Sequence, residues 1–290
     1  EDVNELVEGS FLEQAPRIRV SSYTGENIET LKQMIIDMAK KTGKRREEAE
    51  LFRLPIDRVF TMEGFGTVVT GTLIEGMCET GQEVMVYPQE RLLKIRGVQS
   101  HGQKEEKAFA GQRTAINLAG IKKEELSRGE VLAYPGSLVN STMVDATLRL
   151  FASTQRKLKN GDRVHLSYGS AQVIGKVILL DADVIEAGQE AFVQLRFDEP
   201  IWVQGNDKFI VRFYSPVETF GGGTVLNPAA DKHKRGQEAV IESLRLKKTG
   251  TDIEVLEQMV DGESRRFPEP KELAAWMDLT VSEAEKLPDT

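Results

Sequence analysis

The chain has one cysteine, Cys78, in 290 residues, so no internal disulfide forms and packing alone must hold the fold; a reducing, cytoplasmic setting is expected. Long apolar runs are missing as well. Nothing approaches the roughly 18 uninterrupted apolar residues of a membrane helix, and the N-terminus shows no signal-peptide pattern, so no membrane partner is expected. Three scattered histidines and one cysteine give no metal-ligand spacing and no nucleophile constellation. Positive charge is in deficit. The net charge of −8 argues against bulk nucleic-acid binding while leaving room for a local basic face. An initiator methionine is absent too, and the opening residues read as mid-domain sequence, so a monomeric fragment of something larger is expected.

What is present changes texture three times. In residues 1–48, "RIRVS" (17–21) predicts a buried strand, and Ile28, Leu31, Ile35 and Met38 then form one apolar helical stripe. Asn27 is the expected N-cap and Thr42–Gly43 the expected stop. So short a unit cannot bury both faces, which predicts the last βα unit of an α/β domain. Residues 49–138 and 139–228 predict two consecutive small β-barrels. Runs such as "TVVTGTLIEG", "LLKIRGVQS", "MVDATLRLF" and "DKFIVRFYS" are β-branched and separated by glycine turns. "SLVNST" (137–142) is the expected joint. Residues 229–290 turn helical at helix-turn-helix spacings. The expected fold class is therefore mainly β.

The stretch "FTMEGFGTVVTG" (60–71) looks like a kinase phosphate loop, but the comparison fails. Val69 stands where the third glycine belongs, and no "VAIK", "HRD" or "DFG" follows. A P-loop is absent from the sequence too. The expected role is mechanical: Gly64 and Gly66 make a tight turn between two barrel strands, and Gly71 lies where backbones pass closely.

The longer run "LPIDRVFTMEGFGTVVTGTLIEG" resembles the opening of domain two in translational GTPases of the elongation factor Tu group. Its "DR" before "VFT" is most similar to the selenocysteine-specific elongation factor (SelB) branch. "VSSYTGENI", "RGVQSHG…AGQRTAINLAG", "RVHLSYGSAQVIGKVILLD" and "SPVETFGGGTVLNP" resemble later family stretches in the same order, over roughly residues 17–228. The family's architecture implies the remnant of a GTPase domain, two translation-factor barrels and the start of a winged-helix region.

The resemblance also implies a set of residues. An aminoacyl-tRNA pocket would be lined on the barrel side by Asp57, Arg58, Phe60, Thr70, His101 and Arg113. Its chemistry suits an anion: a thiol ionises near pH ~8.5, a selenol is a stronger acid, and serine's hydroxyl stays neutral. Two guanidinium groups and a histidine would favour selenocysteine over serine, with Asp57 binding the α-amino group or orienting an arginine. Ser21, Ser22 and Tyr23 would be a partial guanine-binding motif, Ser22 replacing the usual alanine. GTP and Mg are implied for a complete protein. This sequence has no P-loop, Asp-x-x-Gly or Asn-Lys-x-Asp, so neither ligand and no GTPase activity is expected of it. Implied partners are selenocysteinyl-tRNA, the ribosome and an mRNA hairpin. Basic runs at Lys40–Arg46 and Lys232–Lys248 would touch RNA phosphates if they are more than solvated faces. A general Tu-like or initiation-type GTPase, the GTPase subunit of ATP sulfurylase, and a bracing module remain alternatives.

Overall fold

The computed structural model describes residues 2–8, 10, 12–42, 48–262, 269–277 and 279–286. The chain divides into two compact units, Glu1–Arg45 and Arg46–Thr290. The first holds helices α1 (Asp2–Val7) and α2 (Ile28–Lys41). Glu29 in the first turn of α2 and Lys40 and Lys41 in its last turn match the helix dipole.

Asn27 sits at the N-cap as expected, yet it does not cap. Its φ is 57°, and its amide donates to the Arg19 carbonyl at 2.9 Å instead. The expected strand "RIRVS" is also corrected. Residues 17–21 join no sheet, and Val20 is 45% exposed. Among its described residues this unit has no strand, so these backbone groups have no ladder to enter. Part of the basic run Lys40–Arg46, residues 43–46, lies outside the described residues, as does the expected stop residue Gly43.

The second unit begins with the first barrel. Its strands are β1 (Arg53–Pro55), β2 (Arg58–Met62), β3 (Gly66–Thr72), β4 (Met77–Glu79), β5 (Glu83–Tyr87), β6 (Arg91–Ser100), β7 (Gln103–Glu105), β8 (Lys107–Phe109), β9 (Arg113–Ala119) and β10 (Val131–Ala133). The main sheet runs β1-β10-β5-β6-β9-β3-β2, with β7 on β6, while β4 and β8 pair separately. Period-2 alternation decides which side chains face in. Leu54, Ile56, Val69, Ile95, Ile116 and Leu132 fill the core, and Arg58, Thr70 and Arg113 take alternate, outward positions. The two ends of the sheet, β1 and β2, are joined by only Ile56 and Asp57, so the sheet curls and the end of β1 at Pro55 lies against Gly71 of β3.

The glycines behave as the sequence predicts. Gly64 and Gly66 have φ of +78° and +89° in the β2–β3 turn. Gly71 permits the close pass, since a Cβ there would lie 2.2 Å from the Pro55 carbonyl oxygen.

Cys78 on β4 is fully buried, and desolvation pushes its thiol up to about 12. It is therefore expected to ignore a thiol reagent at pH 8 in the folded chain and to react completely in denaturant; fast labelling of the native chain would contradict this burial.

The second barrel is closed, in the order β11-β16-β14-β13-β17-β18. Its strands are β11 (Val139–Leu150), β12 (Leu158–Lys159), β13 (Arg163–Tyr168), β14 (Ala171–Leu179), β15 (Val184–Ile185), β16 (Glu190–Val203), β17 (Lys208–Phe213) and β18 (Thr219–Asn227). The expected joint at 137–142 is mostly strand, because β11 already starts at Val139 and is only bulged between Ser141 and Met143. The two barrels are in direct contact. Arg53, 7% exposed, forms ion pairs with Asp207 at 2.7 Å and Glu75 at 3.3 Å, and Gln204 donates to the Ser137 carbonyl at 2.9 Å.

Among the described residues four helices follow: α3 (Glu238–Thr249), α4 (Asp252–Gly262), α5 (Pro270–Met277) and α6 (Val281–Lys286). Ile241 and Leu244 of α3 pack on Leu180, Phe192 and Leu226 of the second barrel, while Leu256, Met259, Leu273, Met277 and Ala284 form a separate small core. Among the described residues no helix is long and apolar enough to cross a membrane.

Candidate functional site

The six candidate barrel residues fall on or directly beside the strands β2, β3, β6 and β9. Register places Arg58 of β2 opposite Thr70 of β3, Phe60 opposite Val68, and Thr72 opposite Arg113 of β9. Asp57 precedes β2, and its backbone N–H donates to the Thr70 carbonyl at 2.9 Å. That bond holds the carboxylate beside β3, where the Thr70 hydroxyl donates to Oδ1 at 2.8 Å. Arg113 completes the arrangement. Its Nη2 donates to Asp57 Oδ1 at 3.0 Å and its Nη1 donates to Oδ2, a two-pronged fork on one carboxylate.

Asp57 therefore orients an arginine. The Arg113 hydrogen bonds, opposed by partial burial and aided by the Thr70 hydroxyl and the Arg58 charge, hold its carboxyl below the ordinary carboxylate value. The fork's contribution to stability is thus complete above the unfolded carboxylate pKa and disappears as pH falls through the lowered folded value. Arg113 is 53% exposed at its side chain, so that contribution is small and the fork's significance is geometric.

Arg58 differs. Its side chain is exposed and, among the described residues, makes no hydrogen bond or ion pair, although its charge helps to lower the Asp57 carboxyl. One carboxylate and two guanidinium groups leave the cluster with a single net positive charge, and Arg58 is where it is least compensated. Phe60 is half-buried two residues along the same face. His101 lies one residue beyond the Ser100–Thr114 pair, at the tip next to Arg113, with φ 51° and its Nδ1 3.0 Å from Ser100 Oγ.

The sequence did not point to Asn117 or Phe65. The Asn117 amide donates to the Phe65 carbonyl at 2.7 Å, pinning the glycine turn to β9. Beside it, Met62, Phe65, Val68, Arg96 and Asn117 help line a cavity of about 100 Å³ on the same face. The available signal was Asn117's outward phase in "RTAINLAG".

Residues 66–133 match the elongation factor Tu domain 2 family, and residues 145–232 match the beta-barrel domain of the selenocysteine-specific elongation factor. The selenocysteine-specific elongation factor of Desulfomicrobium baculatum is 40% identical over 281 residues, covering 91% of this chain and 44% of that protein. The two barrels belong to the selenocysteine-specific elongation factor family. The chain spans less than half the length of the curated relatives it matches.

Two solved structures share the fold of this family. A bacterial selenocysteine-specific elongation factor superposes with a TM-score of 0.76 at 23% identity, over 96% of this chain and 44% of that one. Methanococcus maripaludis SelB in complex with the GTP analogue GppNHp gives 0.63 at 22% identity, over 78% and 53%.

Ser21, Ser22 and Tyr23, the residues expected to form a partial guanine-binding motif, lie in the first unit. Ser21 N–H donates to the Glu26 carbonyl at 3.2 Å, so this donor is already engaged. Among the described residues the N–H groups of Ser22 and Tyr23 make no backbone hydrogen bond, and Tyr23 is 98% exposed. Among the described residues no group of three or more His, Cys, Asp or Glu could hold a metal ion.

Three cations of the second basic run, Arg235, Arg245 and Lys248, are engaged within the chain. Arg235 donates to the carbonyls of Leu179 and Ala182 and pairs with Asp183, while Lys248 pairs with Glu190 and Arg245 with Glu242.

Proposed function

We propose that this chain is the barrel portion of a translation elongation factor that binds selenocysteinyl-tRNA and delivers it to the ribosome at recoded UGA codons. The observation that carries this reading is the Thr70–Asp57–Arg113 arrangement with Arg58 beside it. A pre-oriented guanidinium and a second, unpaired one give a cationic site on a rigid sheet, and such a site favours a selenolate over a neutral serine hydroxyl. Phe60 and His101 border the same face, as an aminoacyl pocket requires. A complete factor would bind GTP, with the Ser22 and Tyr23 amides donating to the guanine base, and Mg would accompany the phosphates. The helical tail would begin the region that takes an mRNA hairpin.

The alternatives weaken at Arg113. A general Tu-like factor needs no cation there, and an ATP sulfurylase subunit needs no aminoacyl pocket. The test is protection of the aminoacyl ester by the complete factor. Selenocysteinyl-tRNA is expected to be shielded from hydrolysis at protein concentrations that leave seryl-tRNA unshielded; equal shielding of both would refute the reading.

A further inference from the structure

A second polar cluster is built into the junction between the second barrel and the helical tail. Asp145 on β11 is 1% exposed, and Gln194 on β16 is fully buried. Asp145 Oδ1 accepts from Gln194 at 2.9 Å, and Oδ2 accepts from Asn227 at 3.5 Å and lies 2.9 Å from His233 Nε2. His233 belongs to a strap, residues 228–236, that runs across the barrel from β18 to α3.

The same cluster fastens the strap's backbone. Gln194 donates to the Asp231 carbonyl at 2.7 Å, Arg196 donates to the His233 carbonyl at 3.1 Å, and Gln194 Oε1 accepts from Arg196 Nε at 2.8 Å. Further on, Gly236 N–H donates to the Leu180 carbonyl at 2.8 Å. The strap leads into α3, whose apolar side packs on Leu180, Phe192 and Leu226. The tail touches the barrel again at Gly205, where a Cβ would lie 2.0 Å from the Trp276 carbonyl oxygen.

Asp145 is a buried carboxylate, and His233 is the titratable cation in direct contact with it. Removing one partner of such a pair leaves an uncompensated buried charge, which is strongly unfavourable. We propose that Asp145 and His233 form a proton-operated latch that fastens the 228–236 strap, and with it the start of the helical tail, to the second barrel.

The charges around His233 set the direction. Asp145 raises its pKa from the ordinary imidazole value through the hydrogen bond and its charge, and Asp231 adds to this; burial and Arg196 of β16 oppose. From α3, Lys247 lines the same small cavity, where Ser243, Gln258 and Trp276 contribute no charge. A raised pKa means the stabilisation is complete below the unfolded imidazole pKa and is lost as pH rises through the folded value. The latch is closed on the acidic side and loosens on the alkaline side.

His233 and Trp276 line one cavity of about 170 Å³, which supplies a readout. The chain has two tryptophans, so Trp202→Phe leaves Trp276 as the sole emitter. Its fluorescence is expected to rise with pH, because a neutral imidazole quenches a nearby indole less than an imidazolium does. The midpoint should lie above the ordinary histidine value of about 6.5, and His233→Gln should flatten the curve. Hydrogen exchange on the unmodified chain gives a second reading that needs no variant. Corrected for intrinsic rates, the amides of His233 and Gly236 should lose about ten-fold protection, relative to those of β16, per pH unit between the unfolded and folded pKa values. A fluorescence profile unchanged by His233→Gln, or strap amides that track β16 from about pH 5 to 9, would overturn the latch.

Discussion

Replacing Arg113 with alanine in the complete factor is expected to lower the preference for selenocysteinyl- over seryl-tRNA by roughly ten- to a hundred-fold, the equivalent of about 1.5–3 kcal/mol for a charged hydrogen bond. The physical reason goes beyond one lost contact. Arg113 is held by both oxygens of Asp57, so its removal exposes a carboxylate beside the site intended for an anion. The cluster's net charge falls from one positive to zero. Binding of the neutral seryl ester should change little, since it gains nothing from the lost charge. Arg58→Ala removes the same charge but leaves the fork intact, so it should reduce selenocysteinyl-tRNA affinity without exposing Asp57. Asp57→Asn separates orientation from charge: it adds one positive charge while loosening the arginine. Ester-protection titrations with both aminoacyl-tRNAs measure all three, and an Arg113→Ala factor with undiminished preference would remove the cationic pocket.

The other large effect is structural. Gly71→Ala is expected to destabilise the chain by roughly 3 kcal/mol, because its Cβ would meet backbone at Pro55 and the side chain of Leu54. The clash lies where the end of β1 passes β3, and backbone there cannot yield without disturbing the β3–β9 pair Gly71–Thr114. Gly64→Ala should cost only about 1 kcal/mol, since its positive φ faces open space and the penalty is conformational strain alone. Urea denaturation compares the two. Equal midpoints would mean that Gly71 is not a close-approach site. A phosphate-loop reading of the same glycines would place the larger effect at the turn, on ligand binding and not on stability.

Both barrels were legible because period-2 alternation and positive-φ glycines are local signals, and each survives in a single strand or turn. The strand expected at 17–21 failed for the opposite reason. A β-branched run has strand potential, but a strand exists only where a neighbour accepts its hydrogen bonds, and the described residues of that unit provide none. Asn27 was placed correctly at the start of α2 while its side-chain role was missed, since the Arg19 carbonyl competes for it. In the candidate site, residue identities could be carried over by resemblance, but the fork could not be read. Asp57 and Arg113 are 56 residues apart, and their meeting depends on the β2–β3–β9 register. The run around Lys232–Arg235 shows the limit of counting charges. Arg235 turns back onto the barrel and satisfies two carbonyls there, leaving less of the run for an RNA partner than its composition suggests.

The central claim is that discrimination rests on the charge of the side chain carried by the tRNA. It is tested most directly by following the complete factor's affinity for selenocysteinyl- and seryl-tRNA as pH is lowered through the selenol's own ionisation. Arg113 and Thr70 hold the Asp57 carboxyl below the ordinary carboxylate value, and the same titration on a His101→Gln factor removes the pocket's imidazole, so that the ligand is the group that titrates. The account predicts that selenocysteinyl-tRNA affinity falls toward the seryl value as the selenolate gains a proton, while seryl-tRNA affinity stays flat. A preference that persists unchanged with the selenol protonated would contradict it.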